Sequence, residues 1–244
     1  MAIQFVGYAT GGSLDTTAYS ISLTSLTGGI GSAPIAGDVV VLVNTTVNGS
    51  TDTDLTTSSG YTELADLNQI ETWYVGMYVG YKVMGATPDT SITGITAAND
   101  TNGGSGGIAY VLRGVDPVTP IDVAIVTAQG ANSYIPNAPS ITPVTAGALV
   151  IAMGGSSGIA FGRSLTHPAG YSNGAHKISD TTAADSMTIM ASKVWAGGAE
   201  DPAAFGVTIA DPATYSADLG WCAATLALRP KPVNAGNLFF GSNF

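Results

Sequence analysis

The feature that most constrains this chain of 244 residues is an internal repeat, because a duplicated unit is expected to fold the same way twice. Gly37 and Gly147 stand in matching segments 110 residues apart, and Arg113 and Arg229 stand in matching segments 116 apart. Insertions in the loops between matched strands produce such a drift. Four pairs of segments match in order: AGDVVVLV (36–43) with AGALVIAM (146–153), SGYTEL (59–64) with AGYSNG (169–174), MYVGYKVMGATPD (77–89) with TIMASKVWAGGAEDP (188–202), and GIAYVLRGV (107–115) with WCAATLALRP (221–230).

The repeated segments are short, apolar and bounded by Gly, Pro, Asn, Asp or Ser, which is the pattern of β-strands and turns. The stretch 71–84 alternates between two faces, so we predict one long strand there, covered in part on both faces. No segment keeps the 3.6-residue period of a helix. We therefore predict an all-β fold, an antiparallel β-sandwich of jelly-roll or immunoglobulin-like type built from two internal repeats.

Three parts of the chain follow from this reading. Residues 1–118 form the first β-sandwich repeat, and residues 119–230 form the second. Residues 231–244 have no place in the repeat and form a C-terminal docking tail. Exposed in water, its apolar residues would be unfavourable, so we expect the tail to dock either on its own domain or on a neighbouring subunit. The predicted interface residues are Leu238, Phe239, Phe240 and Phe244.

Charge is sparse and negative, with 7 Lys and Arg against 17 Asp and Glu and a net charge of -10. Binding to nucleic acid requires basic residues that neutralise phosphates, and an anionic membrane would repel this chain. We expect neither as a partner. The N-terminal segment lacks the basic and long apolar regions of a signal peptide, so the sequence predicts a protein made in a cytoplasm. No apolar run reaches the ~20 residues of a membrane-spanning helix.

Four of the seven basic residues stand at matched positions of the repeat, and we expect them to be structural. Each would lie at a strand end and pair with a carboxylate or with loop carbonyls, which the planar fork of arginine suits well. Asp116 and Asp122 are the predicted partners of Arg113. Ligand binding is the alternative role. The four residues are Lys82, Lys193, Arg113 and Arg229.

No motif for catalysis, metal binding or cofactor binding stands out. His167 and His176 lack the spacing of a zinc site, and no nucleophile elbow is present. Cys222 lies in an apolar strand and is expected to be a buried, inert thiol. We expect a non-enzymatic protein with no cofactor and no metal. Glycosidase carboxylates or calcium ligands remain alternatives for five acidic residues that we interpret as solvated: Asp52, Asp54, Glu63, Asp66 and Glu71.

The matched strands, taken together, resemble a known class of β-sandwich modules. The similar segments are MAIQFVGYATG at the start, AGDVVVLV, GYTEL, a YKV strand with Pro88 shortly after it, and YVLRGVDPVTPID. This combination is similar to virion structural proteins of tailed bacteriophages: tail-fibre or tail-tip components, or capsid decoration proteins. The resemblance covers Ala2 to about Pro230. Many family members carry Gly-Trp where this chain has Gly60-Tyr61 and Gly170-Tyr171.

The resemblance implies a non-enzymatic protein of a tail fibre, tail tip or other surface appendage of the virion that takes part in host attachment. Other virion proteins are the implied partners, and we expect a homo-oligomer, with a trimer as the guess. A capsid decoration (cement) protein is one alternative, and a carbohydrate-binding module or polysaccharide depolymerase is another. A receptor-binding fibre would hold a host surface glycan on aromatic faces, for which the candidates are Trp73, Tyr74, Tyr78 and Tyr171. For most of these four residues a buried position in the core is the alternative that we favour.

Overall fold

The computed structural model describes residues 1–14, 18–48, 55–57, 60–71, 73–97, 103–157, 164–179, 185–208 and 219–233. Within these ranges the chain forms fourteen β-strands and no helix, as the turn-bounded apolar segments predict. The strands are β1 (Gln4–Leu14), β2 (Ala18–Ser22), β3 (Val39–Asn48), β4 (Thr62–Gln69), β5 (Tyr74–Val83), β6 (Ser91–Thr96), β7 (Gly104–Arg113), β8 (Ile121–Gly130), β9 (Leu149–Ser157), β10 (Ser164–Thr166), β11 (Ser172–Ile178), β12 (Ser186–Val194), β13 (Gly206–Thr208) and β14 (Trp221–Leu228).

Two large antiparallel sheets have the same strand order. The first half of the chain forms a sheet in the order β1-β7-β3-β5-β4. The second half forms a sheet in the order β8-β14-β9-β12-β11, and each strand takes the place of its counterpart in the first sheet. The internal repeat seen in the sequence is thereby confirmed as a repeat of topology.

A small sheet lies on the outer face of each large sheet. It consists of β2 and β6 in the first repeat and of β10 and β13 in the second. A further extended segment joins each small sheet: the Thr96 N–H donates to the Thr56 carbonyl at 3.0 Å, and Ile141 and Glu200 exchange two hydrogen bonds. We number the extended segments along each repeat, with these added segments included. In each large sheet the first, eighth, third and sixth segments then lie side by side in that order. This is the jelly-roll order, one of the two sandwich types predicted.

The two large sheets pack face to face, so one central core is drawn from both repeats. In β3, Val39, Val41 and Val43 face this central core, whereas Val40 and Leu42 face the outer core under the small sheet. Every one of these five side chains is fully buried. A strand that is buried on both faces needs apolar residues at successive positions, which explains the uninterrupted run VVVLV.

Strand β5 follows the alternation predicted for residues 71–84. Val75, Met77 and Val79 belong to the central core, and Tyr78 belongs to the outer core of the first repeat. The prediction of a long strand covered on both faces is confirmed.

Matched glycines hold the turns that begin the repeated strands. Gly37 and Gly147 have φ angles of 82° and 79°, and Gly60 and Gly170 have φ angles of 90° and 81°. These angles lie in the left-handed region, where a side chain would be strained and glycine is favoured. The Ala-Gly and Gly-Tyr pairs of the repeat are therefore turn signals.

Contacts across the central core hold the repeats together closely. The Tyr110 hydroxyl donates to the Asn173 carbonyl, and the Thr188 hydroxyl donates to the Gly106 carbonyl at 2.6 Å. Gly155 lies directly against Thr45 of the first repeat: a Cβ atom added at Gly155 would be 2.3 Å from the Thr45 Oγ1 atom. A glycine is required at this point because the opposite sheet fills the space.

We expect Gly155→Ala to lower the free energy of unfolding by about 1–3 kcal/mol, because the added methyl group forces the sheets apart. Thr45→Ala in the same chain should recover part of this loss, since it removes the two closest atoms. Gly85→Ala is the matched control, because nothing lies within 4 Å of its added Cβ. Urea denaturation of the four proteins measures the effect. Equal stabilities of the Gly155→Ala and Gly85→Ala variants would contradict the close packing.

Cys222 provides a second test of the central core. It is fully buried, its thiol donates to the Val75 carbonyl at 3.4 Å, and burial raises its pKa to about 12. A thiol-specific reagent at pH 8 should leave the native protein unmodified and label one thiol per chain in denaturant. Labelling of the native protein at the rate of a free cysteine would show that the two sheets separate readily.

Candidate binding surface

Both matched arginines lie at one end of the large sheets and pair with buried carboxylates. Arg113 is the last residue of β7, and its Nε and Nη2 atoms donate to the two carboxylate oxygens of Asp38, each at 2.9 Å. Arg229 follows β14, and its Nε donates to an Asp122 oxygen at 3.4 Å. Both carboxylates are almost inaccessible to solvent. We call this end of the molecule the arginine end.

The predicted partners of Arg113 were wrong, and the strand order gives the reason. Asp38 immediately precedes β3, which lies beside β7, so its carboxylate reaches Arg113. Asp122 lies on β8 beside β14 and pairs with Arg229 instead. Asp116 binds its own loop, where it accepts hydrogen bonds from the Val118 N–H at 3.0 Å and from the Thr119 hydroxyl at 2.9 Å.

The two buried carboxylates make equivalent contacts from different positions of the repeat, since each binds an arginine and a backbone N–H of the matched turn. Asp38 accepts a hydrogen bond from the Ile35 N–H at 2.9 Å, and Asp122 accepts one from the Thr145 N–H at 3.1 Å. Ile35 and Thr145 are matched residues, each two positions before the turn glycine of its repeat. Ala148 occupies the position that Asp38 has in the first repeat. The arrangement is thus preserved although the acidic residue has moved to another strand.

The matched lysines form a second pair of equivalent clusters. Lys82 pairs with Asp89 at 2.6 Å, and Lys193 pairs with Glu200 at 2.8 Å. Each lysine ammonium also lies over a tyrosine ring, 5.6 Å from the Tyr61 centroid in the first repeat and 5.7 Å from the Tyr171 centroid in the second. Opposite charge and the ring face together hold the cation.

Tyr78 and Tyr171 occupy core positions, which is the alternative predicted for most of the carbohydrate candidates. Tyr78 is 2% exposed in the outer core, and Tyr171 is 7% exposed beneath Lys193. The Tyr171 hydroxyl donates to Glu200 at 3.2 Å, and burial, with the nearby carboxylate, raises its pKa well above the usual range. Trp73 and Tyr74 are half-buried, with Tyr74 at the start of β5 and Trp73 just before it. They lie at the opposite end of that strand from Lys82.

Two grooves of about 430 and 460 Å³ run side by side across the arginine end, and both are lined by Met1 and by residues 231–233. The first is completed mainly by residues 35–38 and 113–115 of the first repeat, and the second by residues 145–147 of the second repeat and by Arg229. Together these residues form what we call the tail-end surface. The Lys231 N–H donates to the Gly114 carbonyl at 2.7 Å, which fixes the segment that leads into the tail.

The tail-end surface and its immediate neighbours are rich in exposed apolar side chains. Five of the ten large hydrophobic residues that are exposed in the described part of the chain lie here: Met1, Ile35, Val118, Val144 and Val233. Sequence analysis missed them because they stand outside the strands, where alternation assigns no face. Contiguous exposed apolar residues are typical of interaction surfaces. The predicted interface residues Leu238, Phe239, Phe240 and Phe244 lie outside the described residues.

The acidic candidates do not form a metal site in the described part of the chain. No three His, Cys, Asp or Glu side chains in those ranges are grouped so as to hold a metal ion. Asp66 accepts a hydrogen bond from the Leu55 N–H at 3.0 Å, and Glu71 accepts one from the Gln69 side chain at 3.3 Å. Asp52 and Asp54 lie outside the described residues.

The described ranges contain no helix long and apolar enough to cross a membrane.

The stability of the arginine end should depend on pH through Asp122. Burial raises the pKa of its carboxyl, but hydrogen bonds from Thr145, Val144 and Arg229 outweigh this, and the net pKa is below the ordinary value. A lowered pKa contributes stability at neutral pH that is lost as the pH falls through the folded-state value.

We expect Asp122→Asn to cost about 1–3 kcal/mol at pH 7, because it leaves Arg229 without a charged partner. We also expect the loss of stability between about pH 5 and pH 3 to become shallower in this variant. Urea denaturation across this pH range measures both effects, with the exposed Asp201→Asn as the control. A pH dependence equal to that of the wild type would contradict this role of Asp122.

Comparison of the chain with protein-family models, with curated proteins and with solved structures finds no match to any of the three.

Proposed function

We propose that this chain is a non-enzymatic structural protein of a phage virion, part of a tail fibre, tail tip or other surface appendage that takes part in host attachment. The observation that carries the proposal is the tail-end surface: a duplicated jelly roll has five of the ten exposed large apolar residues of its described part at or beside the end where residues 231–233 lie. Jelly rolls recur in viral capsid proteins and in lectins. The sequence resemblance to virion proteins points the same way.

The charged residues favour assembly over chemistry. Each matched cation has a carboxylate within 3.4 Å, so its charge stabilises the fold. The Cys222 thiol is buried and its pKa is raised to about 12, which makes it a poor nucleophile at neutral pH. These groups therefore contribute to a rigid building block.

In this proposal the tail-end surface meets other virion proteins or further copies of the chain. The net charge of -10 keeps chains apart in general, so association needs a surface where apolar contact dominates. The arginines at this end are already paired with Asp38 and Asp122, which leaves the apolar rim to make the contact. Residues of the tail would supply the complementary apolar side chains.

The decisive experiment for the proposal is the location of the protein on phage particles. An antibody raised against the purified chain is applied to intact particles of the phage that encodes it and imaged by electron microscopy. Label on the tail supports the proposal. Label spread over the shell indicates a capsid decoration protein, and particles without label contradict a virion role.

The tail-end surface can be tested on the purified protein. We expect removal of residues 234–244 to leave a folded chain that associates less, because its apolar residues lose their contact. Ile35→Asp should have the same effect from the other side, since Ile35 is 52% exposed in the groove. Ile70→Asp is the matched control, because Ile70 is 60% exposed and lies outside both grooves. Light scattering gives the masses, and an unchanged mass for the truncated chain contradicts this role.

A further inference from the structure

Strand β8 leaves one side of its backbone without a partner among the described residues. It is a ten-residue strand at the edge of the second large sheet, and β14 is the only strand with which it pairs. Its burial pattern alternates between half-buried and exposed along most of its length. An exposed strand edge of this length is a template for pairing with another strand.

The counterpart edge in the first repeat is covered. Strand β1 takes the place of β8 in the first sheet, and residues 26–31 run alongside it. The N–H groups of Tyr8 and Thr27 each donate to the other's carbonyl at 2.9 Å, and the Gly31 N–H donates to the Val6 carbonyl at 2.9 Å. The first repeat therefore satisfies this edge with a bent segment that forms one antiparallel bridge, between Tyr8 and Thr27.

A difference in the length of one connection accompanies the difference between the two edges. Leu23 and Ile141 are corresponding residues, whose N–H groups donate to Thr90 and Glu200 across the small sheet. Thirteen residues separate Leu23 from the turn glycine Gly37, but only five separate Ile141 from Gly147. The connection in the first repeat is therefore eight residues longer, and it contains residues 26–31, which cover β1.

The charges on the edge strands indicate which edge a second copy of the chain could pair with. At the other edges, β4 carries Glu63 and Asp66, and β11 carries Lys177, so two copies pairing there would oppose like charges. Strand β8 carries only Asp122, whose carboxylate is buried against Arg229. Its exposed residues are Ala124, Thr127 and Gln129. For a chain with a net charge of -10, this is the edge that a second copy can approach without repulsion.

We propose that two copies of the chain associate through β8, antiparallel about a twofold axis, so that the two second-repeat sheets become one continuous sheet. The chain's own tail fits this edge less well. Val233 lies at the arginine end, where β8 begins, so a tail strand added directly from there would run parallel to β8. All strand ladders of the described residues are antiparallel.

The test uses the full chain and a matched pair of variants. Thr127→Glu places a carboxylate on the exposed side of β8, so the proposed pair would hold two added like charges on adjacent strands. Thr10→Glu makes the same change at an exposed position of β1, the counterpart strand. We expect Thr127→Glu to weaken the association of chains by about tenfold or more in sedimentation equilibrium, and Thr10→Glu to leave it unchanged. Circular dichroism and thermal midpoints show that both variants fold.

Hydrogen exchange of the wild-type chain gives an independent readout. Amides of β8 should become more protected as the protein concentration rises, whereas those of β4 should not. This result does not depend on a virion role or on the tail, so the proposed function can fail while β8 pairing holds. A chain that remains monomeric, or a mass that Thr127→Glu leaves unchanged, overturns the proposal. It is also overturned if removal of residues 234–244 abolishes the protection of β8, because the tail would then be the occupant.

Discussion

The packing of the two large sheets against each other is the constraint on which the rest of the structure depends. Because small sheets cover the outer faces, the central strands of both large sheets are buried on both sides. Full burial of one Val, Leu or Met side chain contributes about 1.5–3 kcal/mol, whereas an exposed ion pair contributes about 0–1 kcal/mol. Apolar burial therefore dominates the stability. It also explains why only 10% of the residues are charged, since these strands have no solvent-facing side.

The charged residues are consequently pushed to the ends of the strands, where they order the turns. Asp38 and Asp122 each connect an arginine at a strand end to the backbone of the turn before the next strand. The carboxylate comes from the residue before β3 in one repeat and from β8 in the other, so the two repeats share the contact with arginine although its acidic residue stands at different positions of the repeat. A buried arginine–carboxylate contact of this kind tolerates such a move, because only the geometry of its hydrogen bonds matters.

Sequence analysis captured the features that depend on local pattern. Turn glycines and apolar runs predicted the strands, and the matching of Gly37 with Gly147 predicted the repeat. The structure confirms both predictions. Predicting the partner of Arg113 requires knowing which strand lies beside β7. That strand is β3, which is about 65 residues away in the sequence, so no local pattern reveals the pairing. Tyr78 and Tyr171 were candidates both for carbohydrate contact and for the core, because the sequence pattern does not say whether each face of a strand is covered. The exposed apolar residues of the tail-end surface, such as Ile35, were missed because they lie outside the strands and follow no period.

The differences between the repeats matter more for function than their likeness. Two identical jelly rolls packed through their large sheets would present the same edges on both sides. Residues 26–31 cover β1, and the shorter connection between Ile141 and Gly147 leaves β8 without that cover. An edge strand with no exposed charge and with no partner on its outer side among the described residues is a liability for a lone protein, since it invites aggregation. A regular occupant would remove this liability, and a copy of the same chain satisfies the antiparallel direction that all the described ladders share.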